Sequence, residues 1–243
     1  MNIKSSDLEL VESLEKWRIQ GIQSLLEDSS YPNSYVSFCK KLLRLEKFGF
    51  IKKYLDKFSG KKYVFLTSVG KKHLAQSENY ECIAEGHERH DLIAVSILRF
   101  FEKFSGVEAC LVEHEIKADQ KYRAKNQLIP DGMLQVKTLS LESKTIAIEV
   151  EITRKSKDRI AKKYKQYLEC KDIDIAFWFF SSPSVMKSYM KHFEFLHTDK
   201  INKFVYILID EIRLEKLNDM KISYLGNEKN LQDFKGLLGE KTV

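Results

Sequence analysis

Between Ile173 and Phe180 the chain sets seven apolar residues in eight positions, broken only by Asp174. A run of this length, rich in aromatic and β-branched residues, reads as a strand buried on both faces. Such a strand needs cover on both sides, so the surrounding chain must build a sheet between layers of helix. The run is also the longest apolar stretch present, far below the roughly 18 residues of a membrane-spanning helix. No membrane partner is therefore expected.

The flanking sequence supplies the layers. Glu88–Phe104 has a helical stripe at Leu92, Val95 and Leu98. Val107–Ile116, Gln127–Val136 and Thr145–Thr153 read as strands, Lys155–Cys170 as a basic helix, and Ile173–Phe180 as the buried strand. Lys117–Asn126, with Lys117, Lys121, Arg123 and Lys125, reads as a polar loop. A further helix at Ser184–Phe195 and a strand at Phe204–Ile209 follow. A short strand near Lys221–Leu225 and a last helix from Leu231 close the chain. The fold class is α/β (α+β). With 243 residues the chain has room for two domains, expected at 1–79 and 80–243, with a linker at Tyr80–Gly86.

The formal charge of +6 is unevenly placed. Residues 1–33 carry net −3, residues 34–72 net +9 and residues 73–243 none. So concentrated a positive patch points to a polyanion, with double-stranded DNA as the leading partner, against a merely solvated Lys-rich face. The opening residues are acidic rather than basic and do not read as a signal or transit peptide. Cys39, Cys82, Cys110 and Cys170 are scattered without a CxxC pair, so free thiols and a cytoplasmic location are expected.

In the N-terminal third, Leu10, Leu14, Trp17, Ile22 and Leu25 space as helix over Asp7–Glu27, with Gly21 as a possible division. Asn33 or Ser34 caps a helix over Ser34–Lys47. Phe38, Leu42 and Leu45 face its core, and Ser37, Lys40, Lys41 and Arg44 share another face suited to phosphates or base edges. Phe50–Lys57 and Lys61–Leu66 form a hairpin with Lys57, Lys61 and Lys62 near its tip, and a helix restarts at Leu66–Leu74. This order resembles a winged helix-turn-helix, carried by Leu45-Glu-Lys-Phe-Gly-Phe-Ile51 and Leu66-Thr-x-x-Gly70-x-x-x-Leu74. That resemblance implies a basic helix entering the DNA major groove.

The C-terminal αβββαβ order resembles the PD-(D/E)XK restriction-endonuclease-like fold. Pro130-Asp131 falls in the second strand, and Glu149-Val-Glu151 follows on the third. Glu149 and Glu151, at i and i+2, emerge on one face, and Asp131 can join them from the neighbouring strand. Three convergent carboxylates make a hard-oxygen site for Mg²⁺ or Mn²⁺, with Asp131 and Glu149 as ligands and Glu151 as base or further ligand. Ile146, Ile148, Val150 and Ile152 take the alternate face, so the acids need not be buried. The usual third residue of the motif is Lys, and here it is Glu151. Lys155 or Lys157 is the expected source of a migrated cation. Arg154, Lys155, Lys157 and Arg159 are expected to meet phosphates at the start of the basic helix. His87 and His90 lack further ligands for zinc.

The wider phrase Ile148-Glu-Val-Glu-Ile-Thr-Arg-Lys-Ser-Lys-Asp-Arg-Ile160, followed by Lys163-Tyr164 and Tyr167, resembles the replication-relaxation family. The Gly86-His-x-x-Arg-His-Asp-Leu92 helix start and Ile129-Pro-Asp131 are similar too. The resemblance implies a winged helix joined to a nuclease-like domain, in the setting of DNA replication, plasmids and other mobile elements. Three outcomes follow. One is a metal-dependent endodeoxyribonuclease, one a non-catalytic replication or transcription factor on a degenerate nuclease fold, and one a protein scaffold that does not touch DNA. A homodimer is compatible with each.

Overall fold

The computed structural model describes residues 5–32, 34–74, 81–119, 128–194, 202–210, 214–224 and 226–240. The chain forms two compact units, Met1–Val95 and Ser96–Val243. The division falls inside a helix, α6, rather than at the linker expected near residue 80. Lys121, Arg123 and Lys125 of the expected polar loop lie outside the described residues.

The first unit runs α1 (Ser5–Leu8), a 3-10 turn (Glu9–Val11), α2 (Leu14–Trp17), β1 (Ile19–Gly21), α3 (Ile22–Asp28), α4 (Tyr35–Lys47), β2 (Ile51–Leu55), β3 (Lys62–Leu66) and α5 (Ser68–Leu74). Its sheet has the order β1-β3-β2, with both pairings antiparallel. The periodicity over Asp7–Glu27 marks an apolar face, and the division read at Gly21 falls where β1 ends and α3 begins, although the spacing does not predict the strand itself. Arg18 takes a positive φ of 59°, and the next three residues pair with β3 through Ile19↔Phe65. A three-residue strand is too short to show a period of two. Buried Gln20 is satisfied by Ser13 Oγ at 2.6 Å and Asp28 Oδ2 at 2.5 Å. Leu14, Leu25, Phe38, Leu42, Leu45 and Val64 close the core of the unit.

Ser34 caps α4 by accepting from the Ser37 amide. The Leu66-Thr-x-x-Gly70 phrase has a steric and a polar cause. Thr67 Oγ1 accepts from the Gly70 amide at 3.1 Å and donates to the carbonyls of Gly49 and Phe50. A Cβ on Gly70 would lie 2.0 Å from the Phe50 carbonyl oxygen, so only glycine allows α5 to close on that backbone.

In the hairpin turn, the buried Asp56 carboxylate accepts from the Ser59 amide and hydroxyl and from the Phe58 amide, and it pairs with Arg89. Arg89 in turn covers the Phe58 ring at 3.6 Å. A second ion pair in this unit, Arg18–Asp91 at 3.1 Å, holds the start of α6.

The second unit is built on a seven-stranded mixed sheet. Helix α6 (Glu88–Phe101) precedes β4 (Val107–Val112), α7 (Glu113–Ala118), β5 (Gly132–Lys137), β6 (Ser143–Glu151), α8 (Lys157–Glu169), β7 (Ile175–Phe180), α9 (Pro183–Glu194) and β8 (Phe204–Leu208). Strands β9 (Lys221–Tyr224) and β10 (Asn227–Lys229) follow, and a 3-10 turn (Leu231–Phe234) leads into α10 (Lys235–Leu238). The strand order is β10-β9-β8-β7-β6-β5-β4. β6-β7 and β7-β8 are parallel and the other neighbours antiparallel.

The buried strand expected at Ile173–Phe180 is central β7. Its Phe177 and Phe179 meet Phe101 of α6, while Trp178 and Phe180 meet Tyr189 of α9. Tyr164 of α8 stacks on Trp178 with centroids 4.9 Å apart.

Several boundaries differ from expectation. The first strand ends at Val112, because Glu115 reaches back to the Val112 amide at 2.9 Å and starts α7. The second begins at Gly132, so Pro130-Asp131 precedes the strand. Helix α8 starts at Lys157, with Ser156 accepting from the Arg159 amide, which leaves Arg154 and Lys155 in the preceding loop. Strand β10 carries Asn-Glu-Lys, a sequence with no strand signature.

Candidate functional site

Period-two alternation on β6 sends Ile146, Ile148 and Val150 to one face and Ala147, Glu149 and Glu151 to the other. From Ile146 to Glu151, β6 leaves neither face to solvent. Glu149 is 0% exposed and Glu151 2%, which corrects the expectation that the two acids could stay solvated. They lie under α8, alongside Trp178 and Phe180 of β7, which are their partners in register.

Asp131, the residue ahead of β5, reaches this edge through its backbone position. Its Oδ2 accepts from the Val150 amide at 2.7 Å, between the two glutamates. Asp131 is thus held beside the backbone that joins Glu149 to Glu151. Asp131 is half-buried and adds negative potential at Glu149.

A cation faces the two glutamates, but it is neither Lys155 nor Lys157. Lys163, two turns into α8, places its Nζ 2.5 Å from Glu149 Oε2 and 3.4 Å from Glu151 Oε1. One turn further on, the Tyr167 hydroxyl donates to Glu149 Oε1. Lys163 and Tyr167 form an i, i+4 pair on the inner face of α8. Sequence reasoning missed their role because seven Lys and Arg lie between Ile152 and Tyr167. The available signal was spacing. Ile160, Tyr164 and Tyr167 mark the buried stripe, and Lys157 and Lys163 flank it on either side, of which Lys163 is the one that snorkels inward.

The electrostatics follow from this geometry. Burial raises the Glu149 carboxyl to about 8, and the charge on Asp131 adds to the rise, against Lys163 and Tyr167. Burial lowers Lys163, but Glu149, Asp131 and Glu151 outweigh it and hold the ammonium above its ordinary value. Tyr167 and Tyr189 are both raised, first by burial and then by neighbouring glutamate charge. Near neutral pH, three acids face one ammonium, so the cluster can take up or release a proton.

Glu149 spends both oxygens on internal donors. Glu151 Oε2 and Tyr189 Oη are both buried, and the Tyr189 hydroxyl lies against the Glu151 carboxylate. The carboxylate oxygens of Asp131, Glu149 and Glu151 are hard donors of the kind a divalent cation takes. Among the described residues, however, no group of three or more His, Cys, Asp or Glu side chains is preformed as a metal cage. The Lys163 ammonium supplies the positive charge in the present arrangement.

The basic residues divide into exposed and engaged sets. Lys40, Lys57, Lys61 and Lys62 are exposed, as are Arg154, Lys157 and Arg159, and Lys155 is half-buried. Ser37 instead shares a hydrogen bond of 3.0 Å with the Tyr31 hydroxyl. Lys41 and Arg44 turn to the buried Asp7 carboxylate of α1, with Arg44 at 3.6 Å. The face expected from Ser37, Lys40, Lys41 and Arg44 is thus split, with only Lys40 fully outward.

Comparison with known proteins finds no matching family model, no matching curated protein and no matching solved structure.

Proposed function

We propose that this chain binds duplex DNA through its first unit and, with a divalent metal, hydrolyses phosphodiester bonds in its second. The observation that carries the reading is the pair Glu149 and Glu151 facing Lys163 at the C-terminal end of β6, with Asp131 on the Val150 amide between them. The supporting element order is α6-β4-β5-β6-α8-β7, the αβββαβ core of a PD-(D/E)XK domain, with α7 inserted after β4. In the first unit, a basic helix followed by an antiparallel hairpin and a closing helix supports a winged helix.

Asp131, Glu149 and Glu151 would hold Mg²⁺ or Mn²⁺, which when bound supplies Lewis-acid polarisation of the phosphodiester. The chain's own residues do the rest. Glu149, raised to about 8 by burial, would have to give up its proton to serve as a ligand, so metal affinity would rise with pH. Lys163 supplies from α8 the cation that the motif usually carries two positions after Glu149, where Glu151 stands. Tyr167 fixes the rotamer of Glu149. Arg154, Lys157 and Arg159 lie exposed ahead of and along the first turn of α8, where they can hold flanking phosphates.

One observation favours a second reading, a non-catalytic DNA-binding factor of replication or transcription. Both glutamates are buried, and the oxygens of Glu149 are committed to internal donors. Incubation with duplex DNA and Mg²⁺ or Mn²⁺ separates the two. Under the first reading the protein nicks or cuts, and alanine at Asp131 or Glu149 abolishes cleavage while sparing DNA affinity. Salt-dependent binding without cleavage establishes the second reading, and cleavage that survives both alanine variants refutes the catalytic assignment.

A further inference from the structure

The outward stripe of α4 is Val36, Lys40, Leu43 and Lys47, at i, i+4, i+7 and i+11. Val36 is 63% exposed and Leu43 56%, large values for aliphatic side chains on a helix whose opposite face is fully buried. Leu43 also borders a hollow of about 270 Å³, walled by Tyr35 and Cys39 and rimmed by Lys62 of β3. The helix contains one Arg and no Asn or Gln. That Arg, Arg44, is directed to the buried Asp7 carboxylate, as is Lys41.

The amide side chains that read adenine edges are therefore missing from the stripe, and the planar guanidinium fork that best reads guanine is turned away to Asp7. What remains is two aliphatic groups flanked by ammonium groups. In the major groove the apolar feature of the four standard base pairs is the thymine C5-methyl, and lysines beside it can meet phosphates. The two ammonium groups beside the aliphatic side chains favour an anionic partner over a second copy of the same basic stripe.

We infer that α4 reads thymine methyl groups through Val36 and Leu43, giving the first unit a preference for thymine-rich duplex. This rests on the reading that the first unit binds duplex DNA. Replacing thymine by uracil deletes the methyl and leaves the hydrogen-bonding edges intact, so it isolates the contact. Removing one buried methyl corresponds to about a fourfold loss of affinity.

The test measures binding of the full chain, without divalent metal, to two duplexes of one thymine-rich sequence, one containing thymine and one uracil. Wild type should prefer thymine by about fourfold for each methyl contacted. The Val36→Ala, Leu43→Ala double variant should bind both duplexes equally, with an unchanged salt dependence. Equal binding of both duplexes by wild type overturns the inference while leaving DNA binding intact. So does a thymine preference that persists in the double variant, or a double variant whose only change is in oligomeric state. Failure of wild type to bind either duplex overturns the DNA-binding reading itself.

Discussion

Replacing Lys163 by Met removes the ammonium that faces Glu149 and Glu151 and leaves two buried acids without a cation. Truncating one partner of a buried ion pair costs about 3–5 kcal/mol, and the low end applies here. Lys163 retains 29% side-chain exposure, and water can partly replace the lost charge. The loss should depend on pH. Glu149 titrates near 8 in the fold against an ordinary 4.5, so the fold holds a proton across that window that the unfolded chain gives up. Its contribution to stability is full below the ordinary value and fades as pH rises through 8. Lys163 is raised above its ordinary 10.5, so its contribution is constant through the same window.

Lys163→Met should therefore lose about 3 kcal/mol near pH 9 and about 1.5 kcal/mol near pH 5, because Lys163 keeps Glu149 from rising further and the one pH unit above 8 is worth about 1.4 kcal/mol. Urea unfolding followed by Trp178 fluorescence reports this unit alone in a Trp17→Phe background, since the two tryptophans lie in different units. Adding Glu149→Gln should recover most of the high-pH loss. A penalty below about 1 kcal/mol that does not change with pH would refute the reasoning, because it would mean that Lys163 does not balance these acids.

Three further outcomes follow from the packing. Gly70→Ala should destabilise the first unit by at least about 2 kcal/mol in unfolding followed by Trp17, because the new Cβ meets a backbone carbonyl that cannot rotate away. Burial alone would raise Asp56, but the Ser59 donors and Arg89 leave it lowered. Its contribution to stability is therefore present above its ordinary 3.8 and lost as pH falls through the depressed value, and in Asp56→Asn the acid limb of the stability profile should flatten. Ser156→Ala should cost about 1 kcal/mol by uncapping the helix that carries Lys163, seen as a lower urea midpoint on Trp178.

Much of the fold was legible because long elements declare their period. The run to Phe180, the alternation of β6 and the stripes of α4 and α8 each placed the right element, and the i, i+2 spacing put Glu149 and Glu151 on one face, where both meet Lys163. What escaped was short or set by tertiary packing. β1 and β10 have three residues each, and α7 follows β4 without a turn signal. The burial of Glu149 and Glu151 depends on the cover of α8 and α9, which alternation on one strand does not report. Lys163 could not be picked from seven basic residues until the helix face was fixed. Lys41 and Arg44 looked equivalent to Lys40 because the acid that captures them, Asp7, lies more than thirty residues away in sequence.

The catalytic claim meets its most direct test in the nicking of supercoiled duplex DNA with Mn²⁺, comparing wild type with Asp131→Asn at equal DNA occupancy. The carboxylate cluster requires that wild type nick, and that the variant be slower by about a hundredfold or more while binding DNA equally well. Equal nicking rates for the two proteins would contradict it.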